Sequence, residues 1–261
     1  MIFYVNSTFV LLGVITDIDY FKTYPNSDRF GYLGLIKANT FAVYYYCLVL
    51  TYLYKQYVIG EKKTLNIIYL ILIGLLLGKK AFFLFVALLL LYHIRFTLKI
   101  SIKKMFIIAI SIITVIFALR DKMLVAFFKF FPFWEPIYRQ DGWFSFITSY
   151  RNVRFKESYN QIRVTWKFPN YVFGGTTIPT QRTEWGFIDL YLFFGAIGLL
   201  VYIIWFVKIF RDLDIKDVFL LLLVPMIAFF VGGFFVNINI MMFYVLLVVF
   251  FKDKKQNTFS N

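Results

Sequence analysis

The chain has 261 residues, 61% of them hydrophobic, 23% aromatic and 16% charged, with a formal net charge of +14. A mean hydropathy of +0.74 excludes an ordinary soluble domain, whose surface would also have to be apolar. The positive charge lies in short clusters between apolar stretches, a pattern of membrane topology and lipid headgroup contact, so nucleic acid is not an expected partner.

The first sixteen residues are apolar but carry neither a basic n-region nor a small-residue cleavage site, so they read as a short spanning helix rather than a signal peptide. Apolar segments fall at 2–17, 38–54, 64–78, 81–97, 105–126, 185–207, 217–235 and 237–251. A spanning helix takes about 20 residues, sometimes about 17, which predicts about eight spans. The fifth segment is apolar only to Leu119, so Arg120, Asp121 and Lys122 sit at its outer end. The basic connections at 55–63, 95–104 and 208–216 and the tail 252–261 all fall on one side with eight spans, which the positive-inside trend makes cytoplasmic. A single helix over 66–92 would put Lys79 and Lys80 at mid-bilayer, at a cost of several kcal/mol. A hairpin of two short helices turning at Gly78-Lys79-Lys80 avoids this. Its turn lies outside, where topology does not account for two lysines.

Two longer outer segments remain. Residues 17–37 hold Asp17, Asp19, Asp28, Arg29 and Gly31. Residues 127–183 are basic and aromatic, and so long a connection is seldom idle. In it, 127–134 suits the headgroup zone, 149–166 predicts a basic helix, and 168–183 is turn-rich through Pro169, Gly174, Gly175 and Pro179. The expected fold is an all-α polytopic membrane bundle. Helices fill 1–126, a large extracytoplasmic loop lies at 127–183 between spans five and six, helices return over 184–251, and a cytoplasmic tail ends the chain.

Cys47 and His93 are single and belong to apolar segments, so no disulfide framework and no Cys-x-x-Cys zinc site is expected. The outer cations are Lys79, Lys80, Arg139, Arg151, Arg154, Lys156, Arg163, Lys167 and Arg182, against few acids, Glu135, Asp141 and Glu157. Taken singly, each suits an anionic headgroup or a solvated loop. Taken together they favour an anionic substrate, since Arg grips phosphate with two donors and Lys adds a point charge. Glu184 and Asp189 flank the start of a long apolar helix, where a carboxylate meets the helix dipole or serves a function. Trp134, Trp143, Trp166 and Trp185 suit either sugar stacking or anchoring at the membrane interface. Gly174-Gly175 is either a plain turn or a close approach to phosphate. No Walker loop, Gly-x-Ser-x-Gly, His-Glu-x-x-His or dinucleotide fingerprint occurs, so an enzyme here needs a pre-activated, membrane-bound donor.

Five short stretches follow one another in a set order across residues 25–250. They are Arg29-Phe30-Gly31 with Ala38-Asn39-Thr40, Leu77-Gly78-Lys79-Lys80-Ala81, Ser149-Tyr150-Arg151, Phe173-Gly174-Gly175, and Thr183-Glu184-Trp185-Gly186-Phe187-Ile188-Asp189 with Phe194-Gly195-Ala196-Ile197-Gly198. This order resembles the O-antigen polymerase and O-antigen ligase superfamily of polytopic glycan-assembly proteins. There, an Arg-x-x-Gly and Asn precede a span, a Ser-Arg turn joins two short helices, and Ser-Gly-Arg opens the large outer loop. A hydrophobic-Gly-x-Gly and an acidic segment leading to Gly-Ile-Ile-Gly follow. Here the Arg29 motif is one residue tighter, Lys replaces the turn Arg, Tyr150 replaces the loop Gly, and Phe173-Gly174-Gly175 matches its motif imperfectly. The family carries more spans, so the resemblance implies a chain short at its N-terminal side, as a divergent short form or a truncated reading frame. The ligase branch has an outer-loop His that is missing here, which favours the polymerase branch.

The resemblance implies transfer of a polyprenyl-diphosphate-linked oligosaccharide to another lipid-linked unit on the outer face of a bacterial inner (plasma) membrane. It implies no metal and no cofactor, since the diphosphate is already a good leaving group. It assigns diphosphate binding to Arg151, Arg154, Lys79, Lys80 and Arg29. The acceptor proton goes to Glu184 first, then Asp189 or Glu157, and sugars meet Trp143 and Trp166. Membrane lipids and other polysaccharide-assembly proteins are the expected partners. A flippase for the same lipids, a glycan ligase and a non-catalytic scaffold are the alternatives. The flippase is disfavoured by the lack of an inverted repeat.

Overall fold

A computed structural model of the chain describes residues 2–25, 27, 29–36, 39–175, 183–229 and 232–259. Among these the chain is all-helical, and the one extended pairing is an isolated bridge between Lys22 and Tyr32. In chain order the helices are α1 (Ile2–Thr16), α2 (Asn39–Val58), α3 (Thr64–Leu75), α4 (Lys80–Tyr92), α5 (Ile102–Ala118) and α6 (Arg120–Phe130). They continue with α7 (Trp134–Thr148), α8 (Arg151–Thr165), α9 (Phe168–Phe173), α10 (Gly186–Lys208), α11 (Ile215–Met226) and α12 (Ile238–Phe259).

Helix α2 is the centre of the bundle and packs against α3, α4, α11 and α12. Its Tyr44, Tyr46, Cys47 and Leu50 are fully buried, more faces than a surface helix hides. Around it α4 buries Phe82, Phe85 and Leu89 at helical spacing, α3 buries Leu70 and Ile73, α11 Leu221 and Val224, and α12 Tyr244, Val248 and Phe251. At one end of the bundle the Lys55 ammonium reaches both carboxylate oxygens of Asp217 at 2.6 and 2.8 Å, tying α2 to the first turn of α11. Near that end α4 runs into a π-helical turn, His93–Thr97, where the Tyr54 hydroxyl lies 2.8 Å from His93 Nδ1 and 2.9 Å from Thr97 Oγ1.

Two helices among the described residues, Lys80–Thr97 and Gly186–Lys208, are long and apolar enough to cross a membrane, where the sequence predicts about eight. Length accounts for part of the difference. Helix α3 has 12 residues, which at ~1.5 Å each rise ~18 Å, against a hydrocarbon core of ~30 Å. Helix α2 is long enough but rich in Tyr, and α12 carries the charged run 252–255 ahead of its last turn.

Three predicted segments differ in detail. The apolar run 105–126 is not one helix. It breaks at Leu119, where Arg120, Asp121 and Lys122 begin α6. The stretch 127–183, read as a loop with one basic helix, carries α7 and α9 as well as α8. Aromatic packing is the reason for α7. The Phe146 ring meets Phe127, Phe128, Trp134 and Tyr138 at centroid distances of 5.6, 5.9, 5.8 and 5.9 Å. Instead of a turn at 168, Pro169 occupies the first turn of α9, where its missing N–H costs nothing, and the Asn170 side chain accepts from Lys167 N at 3.0 Å. Helix α9 packs into a break in α10 at Gly195 (φ +63°), where a Cβ would collide with the Val172 carbonyl. Asp28, Ala38, Pro179 and Arg182 lie outside the described residues.

Candidate functional site

The site begins where two segments far apart in sequence cross. Tyr32 N donates to Leu76 O at 2.8 Å, and Thr23 Oγ1 donates to Leu77 O at 3.0 Å. Gly78 (φ +65°) lies against the Phe30 carbonyl so closely that any Cβ would overlap it. This crossing sets Arg29 beside Lys79 at the start of α4. Their meeting point is Tyr24. Its hydroxyl accepts from Arg29 Nη2 at 2.9 Å and from Lys79 Nζ at 2.6 Å. Its ring lies 3.7 Å from the Arg29 guanidinium carbon and 4.1 Å from the Lys79 nitrogen.

Lys80 turns toward α7. Its ammonium donates to Phe146 O and stands 3.5 Å from the Trp134 ring centre and 4.2 Å from that of Phe146. Trp134 also lies 4.8 Å from the Arg29 guanidinium carbon. The hairpin cations and the segment 127–148 are thus joined through aromatic faces.

The third element is α8. Ser149 and Tyr150 precede it with φ of +54° and +68°. A left-handed conformation at Tyr150 costs roughly 1–2 kcal/mol, which Gly would avoid. The Tyr150 hydroxyl donates to Asp141 at 2.7 Å and offsets part of that cost. The turn aims Arg151 inward, with Nη1 donating to Thr148 O at 3.1 Å and Nε to Glu184 O at 3.0 Å. One turn on, Arg154 Nη1 donates to Glu184 Oε1, while Arg151 Nη2 lies 3.5 Å from Glu184 Oε2. Asp189, in the first turn of α10, is buried and accepts from Thr183 N and Thr183 Oγ1, both at 2.8 Å.

These parts enclose a cavity of about 1170 Å³. Its lining holds Arg29, Lys79, Lys80, Arg151, Arg154, Glu184 and Asp189, with Tyr24, Trp134 and Phe146 among its aromatics. Crowded, partly dry cations shift one another. Burial, then Arg29 and Arg151, lowers Lys79 to about 7. Burial, then Arg154, lowers Arg151 to about 10, and burial lowers Arg29. Burial raises the Tyr24 phenol above its ordinary value despite Arg29 and Arg151 nearby, so it is neutral at pH 7. An anion entering the cavity would relieve the repulsion between these cations.

Seven of the ten residues singled out in sequence line this cavity; Glu157, Trp143 and Trp166 do not. Glu157 follows Arg154 by three positions but Arg151 by six, which turns it away from the face bearing Arg151, Ser158 and Ile162. Trp143 is 63% exposed. Trp166 packs on Tyr171 and Tyr191, with centroids 5.2 and 6.0 Å away. Trp134 is the tryptophan in the cavity wall, and no pattern in sequence separates it from the others. Tyr24 was missed because a lone Tyr before Pro25 carries no motif. Its proximity in sequence to Arg29 was the one available signal. Comparison of the chain with models of protein families, with curated proteins and with solved structures found no match.

Proposed function

We propose that the chain is a membrane-embedded polymerase of surface polysaccharide, of O-antigen or capsule type, that takes a polyprenyl-diphosphate-linked glycan as donor. The observation that carries this reading is the convergence of Arg29, Lys79, Lys80, Arg151 and Arg154, from three separate segments, on one cavity that also holds two carboxylates. Five cations in one partly apolar space suit a ligand with more than one negative charge.

The membrane part of the reading rests on the two helices of spanning length and on apolar side chains left exposed. Along α10 these include Phe194, Ile197, Leu200, Ile204 and Trp205, and along α5 Ile102, Phe106, Ile107 and Phe117. Water does not tolerate so large an apolar surface on a monomer, whereas lipid does. About eight spans, with α7 to α9 capping the outer end, complete the proposed arrangement.

In the transfer, a hydroxyl oxygen of the acceptor glycan bonds to the anomeric carbon of the donor. The carbon–oxygen bond to the diphosphate breaks, and its electron pair leaves on the lipid diphosphate. Arg151, Lys79 and Arg29 stabilise the charge that develops there. The hydroxyl proton passes to a carboxylate, Glu184 or Asp189. In this reading a sugar meets Trp134, which lines the cavity, rather than Trp143 or Trp166, which do not. The test uses purified protein in liposomes with lipid-linked repeat units. Longer glycans with wild type and none with Arg151→Ala are expected. Growth that persists in the joint Arg151→Ala, Glu184→Ala variant removes this site assignment, and movement of substrate across the bilayer without chain growth assigns the protein to transport instead.

A further inference from the structure

Glu184 is a cavity carboxylate whose two oxygens meet two arginines. We propose that it occupies the Arg151–Arg154 pair as an internal stand-in for the ligand's phosphate, and that ligand binding displaces it. The inference rests on the diphosphate reading of the cavity and extends it to how the site is held when empty.

Three features carry it. First, the Glu184 carboxylate spans both guanidinium groups, Oε1 on Arg154 and Oε2 3.5 Å from Arg151, the geometry in which one anion neutralises two forks. Second, the parts differ in how firmly they are held. The Arg151 side chain is 14% exposed, and its two close bonds go to main-chain oxygens, Thr148 O and Glu184 O, so it keeps its place when the carboxylate leaves. The Glu184 and Arg154 side chains are 40% and 51% exposed, so this contact is wet and exchangeable. Third, the Glu184 backbone is left-handed at φ +59°, a conformation that an L residue adopts at a cost and that turns its side chain back over α8. A diphosphate carries more charge than a carboxylate and can take both forks at once, so it wins the exchange.

The consequence is chemical as well as geometric. While both Glu184 oxygens face guanidinium N–H groups, the carboxylate is not placed to take a proton from a hydroxyl. Seating the diphosphate frees it beside the donor, so the base becomes available only when there is a donor to attack.

The experiment measures inorganic pyrophosphate binding to the full chain in lipid nanodiscs by calorimetry. With the internal competitor removed, Glu184→Gln is expected to bind pyrophosphate about tenfold tighter than wild type. Glu184→Asp, which keeps the charge, is expected to stay closer to wild type than to Glu184→Gln. Equal or weaker binding by Glu184→Gln overturns the proposal. Arg151→Ala, run in parallel, separates the two levels. If wild type binds and Arg151→Ala does not, the phosphate site stands whatever Glu184→Gln does. If neither wild type nor Glu184→Gln binds, the site and the stand-in fall together. An unaltered melting profile for the isosteric Glu184→Gln excludes misfolding as the cause of a loss.

Discussion

At the scale of single residues the cavity is organised by an uncharged side chain. Tyr24 gives one oxygen to two cations and one ring to both, which holds Arg29 and Lys79 side by side against their repulsion. Tyr24→Phe keeps the ring and loses the oxygen. Hydrogen bonds to charged groups are worth ~1.5–3 kcal/mol, so pyrophosphate affinity is expected to drop about tenfold or more, and unchanged affinity in calorimetry would refute this role. Lys79 makes binding depend on pH. Its value in the free protein is about 7, and a bound anion raises it. Affinity is therefore full below about 7 and falls as pH rises through that value toward the raised value of the complex. Lys80 is lowered by the same burial and the same two arginines and shares this dependence. Lys79→Arg keeps its charge across the range and should reduce the slope; the same slope in both proteins would show that Lys79 does not contribute to it.

At the scale of elements, α2 and α11 are locked by a nearly dry ion pair. The Lys55 and Asp217 side chains are 13% and 9% exposed. Removing one partner leaves a buried charge uncompensated, at ~3–5 kcal/mol. Lys55→Met and Asp217→Leu are each expected to lower thermal stability strongly, and the double variant to recover much of the loss. Purely additive losses would mean that the pair is not coupled. The helices of the bundle were legible because each is a long apolar run between charged breaks. The break at Leu119 and helix α7 were less so. A charged triplet within an apolar run fits either a helix end or a new helix. The aromatic residues of α7 acquire a helical face only by packing on Phe127, Phe128 and Lys80. For the same reason Glu157, adjacent to the cavity in sequence, points away from it. Glu157→Gln is expected to leave chain growth within about twofold of wild type, and a large loss would return Glu157 to the site.

At the scale of the whole molecule, the bundle keeps a compact core around α2 and leaves α5 and much of α10 clothed in apolar side chains. If lipid covers them, a cysteine at Ile204 in α10 is shielded from an aqueous maleimide in liposomes, while one at Arg163 in α8 reacts. Native Cys47 is fully buried and does not interfere. Rapid labelling at both positions would argue against the membrane reading of α10.

The sequence by itself determined the broad class of molecule. Its composition excluded an ordinary soluble domain, its apolar runs marked most of the helices, and its excess of cations at 79–80 and 127–183 marked charges that gather in the cavity. These are sums and periodicities, which survive without knowledge of contacts. Only the tertiary structure decided which charged residues meet. Arg29 and Lys79 are joined by the crossing at Gly78, Arg151 and Arg154 are aimed by the left-handed turn at Ser149 and Tyr150, and Glu184 is drawn onto the arginines. Such meetings depend on close backbone approach between segments far apart in the chain, and no local pattern of residues records that.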